Sequence, residues 1–312
     1  MPMFAPRGTA TAASGPLESL LGGCSIEVMP RTAAKIADFR SLLAPGSRIY
    51  IAHIDGTPFD DMLATARRLT EEGFQVMPHF PARLIRDRAM LADRVARYRD
   101  AGVRQGLLIA GGMARPRGDF STSMQLLESG AFDGFERLHV AGHPEGSRDI
   151  DPDGSDRMVM AAARWKSAFA ERSDARMAMT TQFCFDPGPV LDWIRRLRAE
   201  GVSLPVHVGV AGPAKLQTLI KFALACGVGP SIKVLQKRAM DVTKLLLPYE
   251  PNGFLTELAA MRSREPDSGI QSVHFFPLGG IAATAGWIAT HAAAAGTAGT
   301  AHAKVSGQAP TP

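Results

Sequence analysis

The 312-residue sequence predicts an α/β fold, a (β/α)8 TIM barrel in a single domain with one or more extra helices. Two observations carry that prediction. Eight short runs, apolar through most of their length, alternate with longer amphipathic stretches, which is how strands buried on both faces of a parallel sheet read. Polar residues gather at the C-terminal ends of those runs, where a barrel places its chemistry. A doubly wound sheet is the alternative, but its Gly-rich G-x-G-x-x-G turn does not follow the first run.

The expected strands are residues 24–29, 48–54, 75–80, 105–111, 137–142, 176–183, 205–210 and 271–277. After the first, "PRTAAKIADFRSLLA" opens on Pro30 and sets Ile36, Phe39 and Leu42 on one helical face. Four later amphipathic stretches end at Gly73, Gly102, Gly201 and Gly227, plausible helix C-terminal caps. Residues 230–247 and 252–264 carry two more helical patterns, the first read as an extra helix, and "GIAATAGWIATHAAAA" closes the series. The domain reading is a flexible leader over 1–18, the catalytic barrel over 19–296 and a disordered tail over 297–312.

Lys and Arg exceed Asp and Glu by 35 to 30, with both signs interspersed. Nucleic-acid binding usually needs a clustered basic face, so none is expected, and a small anionic ligand is equally compatible with the charge. Cys24, Cys184 and Cys226 lie far apart, which argues against a disulfide framework or a zinc site and for a reducing compartment. No apolar stretch is long enough for a membrane helix, and the first residues lack the pattern of a secretory signal. A cytoplasmic location follows as the expectation.

Glu27 sits inside the first expected strand. It either pairs with an Arg or Lys in the barrel mouth or serves as a general acid or base, its pKa raised by burial. His143 and Glu145, in "AGHPEG", are metal ligands or part of a turn that faces a cofactor; the latter is preferred, since Pro144 makes an extended turn and no further ligand is near. Gln182 in "TTQFCFD" offers a donor and an acceptor in one plane, suited to a flat heterocycle, or else bonds backbone in the core. Strand alternation points it opposite to Thr181 and Phe183. Cys184 is read as packing. Gly111 and Gly112 after the fourth strand allow close approach of a ligand. His53 and His79 are each more often structural alone, and gain weight together on neighbouring strands.

These motifs, in this order, resemble the methylenetetrahydrofolate reductase family. "SIEVMPR" resembles its first-strand motif, "PHF" its third-strand end, "AGHPEG" its fifth-strand turn, "TQFCFD" its Thr-Gln-Phe-Phe-Phe-Asp and "HFFPLGG" its last-strand end; "VHVGVAGPAKLQTL" matches more loosely. The resemblance covers residues 20 to 295 or so. It implies a barrel that holds FAD, takes reducing equivalents from NADH or NADPH and passes hydride to 5,10-methylenetetrahydrofolate, giving 5-methyltetrahydrofolate for methionine biosynthesis. It implies that Glu27 is the general acid, that Gln182 binds the pterin with Leu216 and Phe185 beside the substrate, and that His53, His79, Gly111, Gly112, His143, Glu145 and Lys166 line the FAD. One departure stands out. Well-known members end the fourth strand with Leu-Arg-Gly-Asp; here it ends Ile109-Ala110-Gly111-Gly112, and Asp119 comes several residues late. That departure motivates two alternatives: the same barrel oxidising methyltetrahydrofolate from a demethylation pathway, or a folate-binding partner of a methyltransferase. A non-catalytic metal or nucleic-acid binder is a more distant third. The apolar C-terminal helix allows a homo-oligomer.

Overall fold

The computed structural model describes residues 15–226, 234–236 and 247–301, with side chains up to residue 292. The expected leader, the extra helix over 230–247 and the expected tail lie for the most part outside the described residues. The strands are β1 (Ser25–Val28), β2 (Arg48–Ile51), β3 (Gln75–Pro81), β4 (Gln105–Ile109), β5 (Arg137–Gly142), β6 (Arg176–Cys184), β7 (Val206–Ala211) and β8 (Ile270–Phe276). They form a closed parallel barrel in sequence order, and β8 returns to β1 through the pairs Ser25–His274 and Ile26–Phe275. The protein is a (β/α)8 TIM barrel.

The helices are α1 (Pro16–Leu21), α2 (Pro30–Ala33), α3 (Phe59–Glu71), α4 (Arg88–Asp100), α5 (Ser123–Leu127), α6 (Arg157–Ala170), α7 (Pro187–Ala199), α8 (Leu216–Ala225), α9 (Asn252–Arg264) and α10 (Ile281–Ala301). Their apolar faces pack on the outward residues of the strands. Ile26, Ile49, Val76, Leu108, Leu138, Val208 and Val273 belong to that outer core, together with Met62, Leu91, Trp193 and Leu258 from the helices. Asp87 caps α4 by accepting from Met90 N at 2.7 Å, and Gly73, Gly102 and Gly201 follow their helices at positive φ, as the sequence predicts.

Two expectations need correction. The helix expected across 30–44 stops at Ala33 and resumes only as a 3-10 turn over Phe39–Ser41. The open stretch is held by Arg68 of α3, whose guanidinium donates to the carbonyls of Ala33, Ile36 and Ala37. Strands β2 and β4 also stop short, at Ile51 and Ile109, so His53, Gly111 and Gly112 stand on loops rather than strand ends.

The inward face of the barrel is unusually polar. Residues two apart on a strand share a face. Tyr50, His139, Thr180, His207 and His274 therefore stack in the middle of the barrel, all buried. Tyr50 Oη lies 2.6 Å from His139 Nδ1 and 3.2 Å from Thr180 Oγ1, while Ser25 Oγ lies 2.9 Å from His274 Nδ1. These bonds offset the desolvation that burying such groups costs.

One irregularity shapes the mouth. Between Thr180 and Phe183 the register of β6 against β7 shifts, and Thr181 Oγ1 accepts from Gly209 N at 2.8 Å across the gap. A Cβ at Gly209 would collide with the Thr181 and Gln182 carbonyl oxygens, which are backbone and cannot swing away. Gly209→Ala is expected to cost about 3 kcal/mol, the range of forced overpacking in a rigid core. Urea unfolding of the variant checks this.

Candidate functional site at the barrel mouth

Glu27 is the third residue of β1 and points inward, at the C-terminal end of the barrel. Its neighbours come across the barrel from β3, two strands away, and from β8, which pairs with β1. His79 of β3 places Nε2 3.2 Å from Glu27 Oε2, and His274 of β8 places Nε2 3.7 Å from the same oxygen. With Nδ1 of His274 beside the Ser25 hydroxyl, the assignment that satisfies both ends has Ser25 donating to Nδ1 and Nε2–H facing the carboxylate.

The electrostatics reverse the expectation for Glu27. Burial alone would raise its carboxyl, but the N–H groups and charge of His274 and His79 outweigh it and hold the group down at about 2. Burial also pushes His274 down, although Glu27 opposes this. Both directions fit one arrangement: an ionised carboxylate faced at 3.7 Å by Nε2 of a neutral His274. The pairing partner is thus histidine, neither Arg nor Lys.

The other expected residues divide into three groups. His53 rests its Nε2 3.3 Å from the Thr57 carbonyl; burial, then the charge of Arg94, pushes it down to about 4. His79 is among the groups it senses, so His53 and His79 share one side of the mouth. On the opposite side, His143 follows β5 and Lys166 projects from α6. Burial pushes His143 down to about 4, helped by the Lys166 charge, and burial alone pushes Lys166 down to about 8. The Lys166 ammonium donates to the Ala141 carbonyl at 3.1 Å, one acceptor for three N–H groups. Glu145 is close enough to Cys184 for its charge to raise the thiol, after burial has done most of that; Cys184 is buried and inert, as expected.

The third group lies around the end of β6. The register shift suspends strand alternation there, so Gln182 is exposed, and its Oε1 accepts from Phe183 N at 3.1 Å. Leu216, the first residue of α8, and Phe185 are both buried in an apolar cluster with Phe183, Ala211 and Tyr249. That cluster reaches the centre of the mouth through edge-to-face contacts, Phe183 on Phe276 at 5.3 Å and Phe276 on His274 at 4.8 Å. An aromatic wall therefore ends beside the Glu27 carboxylate.

After β4, Gly111 has φ of 93°, and Arg83 donates to the carbonyls of Gly111 and Met113 while pairing with Asp149 at 2.9 Å. Gly112 has open space where a Cβ would stand. Asp119 is exposed, its N–H donated to the Arg86 carbonyl, and Arg117 pairs with Asp55. Among the described residues Glu27 is flanked by imidazoles and no second carboxylate. No group of three or more His, Cys, Asp or Glu there is placed to hold a metal ion, and no helix is long and apolar enough to cross a membrane.

His274 is the residue of this candidate site that the sequence reading passed over, although it opens the "HFFPLGG" motif. Its signal was available: Ser272, His274 and Phe276 share one face of β8, and an imidazole facing inward next to Val273 and Phe275 needs a partner.

No family model matches the chain. Among solved structures, the fold is similar to that of an uncharacterized protein from Clostridium thermocellum, described as binding two copies of 5-methyl-5,6,7,8-tetrahydrofolic acid. The similarity has a TM-score of 0.56 at 9% sequence identity, over 89% of this chain and 94% of that one.

Proposed function

We propose that the chain is a flavin-dependent methylenetetrahydrofolate reductase. Glu27 would move the proton that opens and closes the bridge between N5 and N10 of the folate. The observation that carries this reading is the Glu27 carboxylate between His79 and His274, at the end of an aromatic wall in a barrel mouth. The motif resemblance along the strands and the folate bound by a barrel of similar fold support it.

A chemical balance follows for the substrate. Protonation of N10 lets the C–N10 bond of the methylene bridge break, leaving an N5 iminium that accepts hydride to become the methyl group. Because Glu27 rests ionised, it has to take up a proton before it can act as the acid. Entry of the folate would add desolvation that favours the neutral acid. His274 and Ser25 keep the carboxylate aimed, and the Phe183–Phe276 wall excludes water and offers a flat face to the pterin.

FAD would supply hydride, drawn from NADH or NADPH. The residues present fit it. Lys166 is a buried ammonium with one carbonyl acceptor, suited to a diphosphate, and Gly112, next to Gly111, leaves room for close approach. His53, His143 and Glu145 would complete that lining. Lys166→Met, of similar length and without the charge, is expected to leave stability unchanged or raised. It should weaken FAD binding by about ten-fold or more, the worth of a charge-assisted hydrogen bond. Fluorescence titration with FAD and a urea melt together check both halves.

The ionised resting state of Glu27 also suits the opposite direction, in which N10 closes on the iminium and gives its proton to a carboxylate. The deciding experiment measures menadione-linked methyltetrahydrofolate oxidation and NAD(P)H-linked methylenetetrahydrofolate reduction on the same purified protein. A protein that takes up neither flavin nor folate ends both readings.

A further inference from the structure

The opposite end of the barrel carries a feature that the mouth chemistry does not use. The first inward residues of five consecutive strands are Arg48, Gln75, Gln105, Arg137 and Arg176. Spacing of two along each strand puts Arg48 below Tyr50, Gln75 below Met77, Gln105 below Leu107, Arg137 below His139 and Arg176 below Ala178 and Thr180. The register aligns Arg48 with Gln75 and aligns Gln105, Arg137 and Arg176 across β4, β5 and β6, and hydrogen bonds from Gln105 to Gln75 and from Arg48 to Gln105 join the two sets.

This floor is rich in donors and poor in acceptors. Gln75 Oε1 already accepts from Arg48 Nη2 at 2.9 Å and from Gln105 Nε2 at 3.2 Å, and Gln105 Oε1 accepts from Arg48 Nε at 2.9 Å. Nothing comparable serves Arg137, whose Nε is shielded from solvent with no hydrogen-bond partner. None of the three arginines forms an ion pair with a carboxylate among the described residues. Burial first, and the neighbouring guanidinium charges second, hold Arg137 below the usual guanidinium range; burial does the same for Arg48, with Arg176 adding to it. A buried N–H without an acceptor, in a group of like charges, costs free energy until an anion with several oxygens meets it.

We propose that the barrel floor is an oxyanion site in which Arg48, Arg137 and Arg176 bind a phosphoryl group, free or esterified. Planar guanidinium forks match such oxygens bidentately. Glutamines beside the arginines keep Arg48 in place without neutralising it. The site is at the far end of the strands from Glu27, so it is separate from any folate or flavin.

The test uses the full chain in chloride buffer at constant ionic strength, followed by circular dichroism melts. Inorganic phosphate is titrated in one series and glycerol phosphate in another. A saturable rise in Tm is expected with phosphate; a matching rise with the ester shows that the phosphoryl group suffices, and its absence assigns the free ion. Arg176 is exposed, so Arg176→Gln retains the fold, and it should raise the half-saturating concentration about ten-fold or more. Arg137→Gln should do the same where it folds; where it does not, Arg176→Gln decides alone. No saturable rise, or an equal rise in Arg176→Gln, overturns the proposal, since phosphate also stabilises proteins by general exclusion. Neither folate nor flavin enters the assay, so its outcome is independent of the mouth chemistry.

Discussion

Glu27→Gln is expected to lower folate turnover by about two to four orders of magnitude, the usual contribution of a positioned acid or base. The amide keeps the shape beside His79 and His274, so the fold survives. Replacing one member of a buried charged set by a neutral isostere is often close to neutral for stability. What disappears is the ability to exchange a proton. Reduction of bound flavin by NAD(P)H should therefore continue at the wild-type rate, and FAD affinity should not change. The companion variant His274→Gln makes a sharper statement. It removes an imidazole that, with His79, outweighs the burial of Glu27. The Glu27 pKa should rise, and in the reductive direction, where Glu27 is the acid, the limb of the kcat/KM profile that falls with rising pH should move to higher pH. Full folate turnover in Glu27→Gln, or no movement of that limb in His274→Gln, removes Glu27 from the proton chemistry.

The second large effect is acid unfolding that begins well above the carboxylate range. Burial pushes His53, His143 and His207 down to about 4, pushes His139 well below its ordinary value and lowers His274 as well. The sign follows from proton counting. An unfolded histidine binds its proton near pH 6.5, while these remain neutral in the fold until the pH is far lower. Below about pH 6.5 the unfolded chain holds more protons, so stability present above that pH is lost as the pH falls. Each buried histidine contributes a slope of about 1.4 kcal/mol per pH unit across its window. A few together exhaust a typical stability of roughly 5–15 kcal/mol. His53 is only partly buried and counts for less. Glu27 adds its own share at lower pH, between its ordinary value of 4.5 and about 2. Urea unfolding from pH 8 downward should show stability falling steeply below about pH 6. His207→Gln, which removes one titrating group and keeps a hydrogen-bonding side chain beside Gln271, should flatten the curve by one histidine's slope. A stability curve flat down to pH 5 contradicts the buried neutral histidines.

The barrel could be read from the sequence because both-face burial makes its strands apolar runs, and breaks follow each one. Glu27 could be read because a carboxylate in such a run has nowhere to go but the inner face near the mouth. Other features depend on contacts between distant segments. Nothing local to residues 30–44 announces that Arg68 will take their carbonyls. The exposure of Gln182 follows from a register shift against β7, and one-residue slips are invisible in a single strand's alternation. The direction of the Glu27 shift needed two histidines from β3 and β8, and burial alone gave the wrong sign. Leu216 and Phe185 were expected at the substrate; the structure buries both in the apolar cluster whose Phe183 edge continues the wall toward it.

The pairing of β1 with β8 has a consequence for how the protein is made. That seam rests on two aligned residue pairs, and the Ser25–His274 bond across it spans 249 positions. Contacts so distant in sequence are slow to form, and the last strand leaves the ribosome after all the others. The Glu27 site therefore does not exist on a nascent or partly folded chain, however much of the sheet has already assembled. On the proposed function, catalytic competence and completion of the fold are one event, and recovery of activity during refolding should lag the return of helical signal.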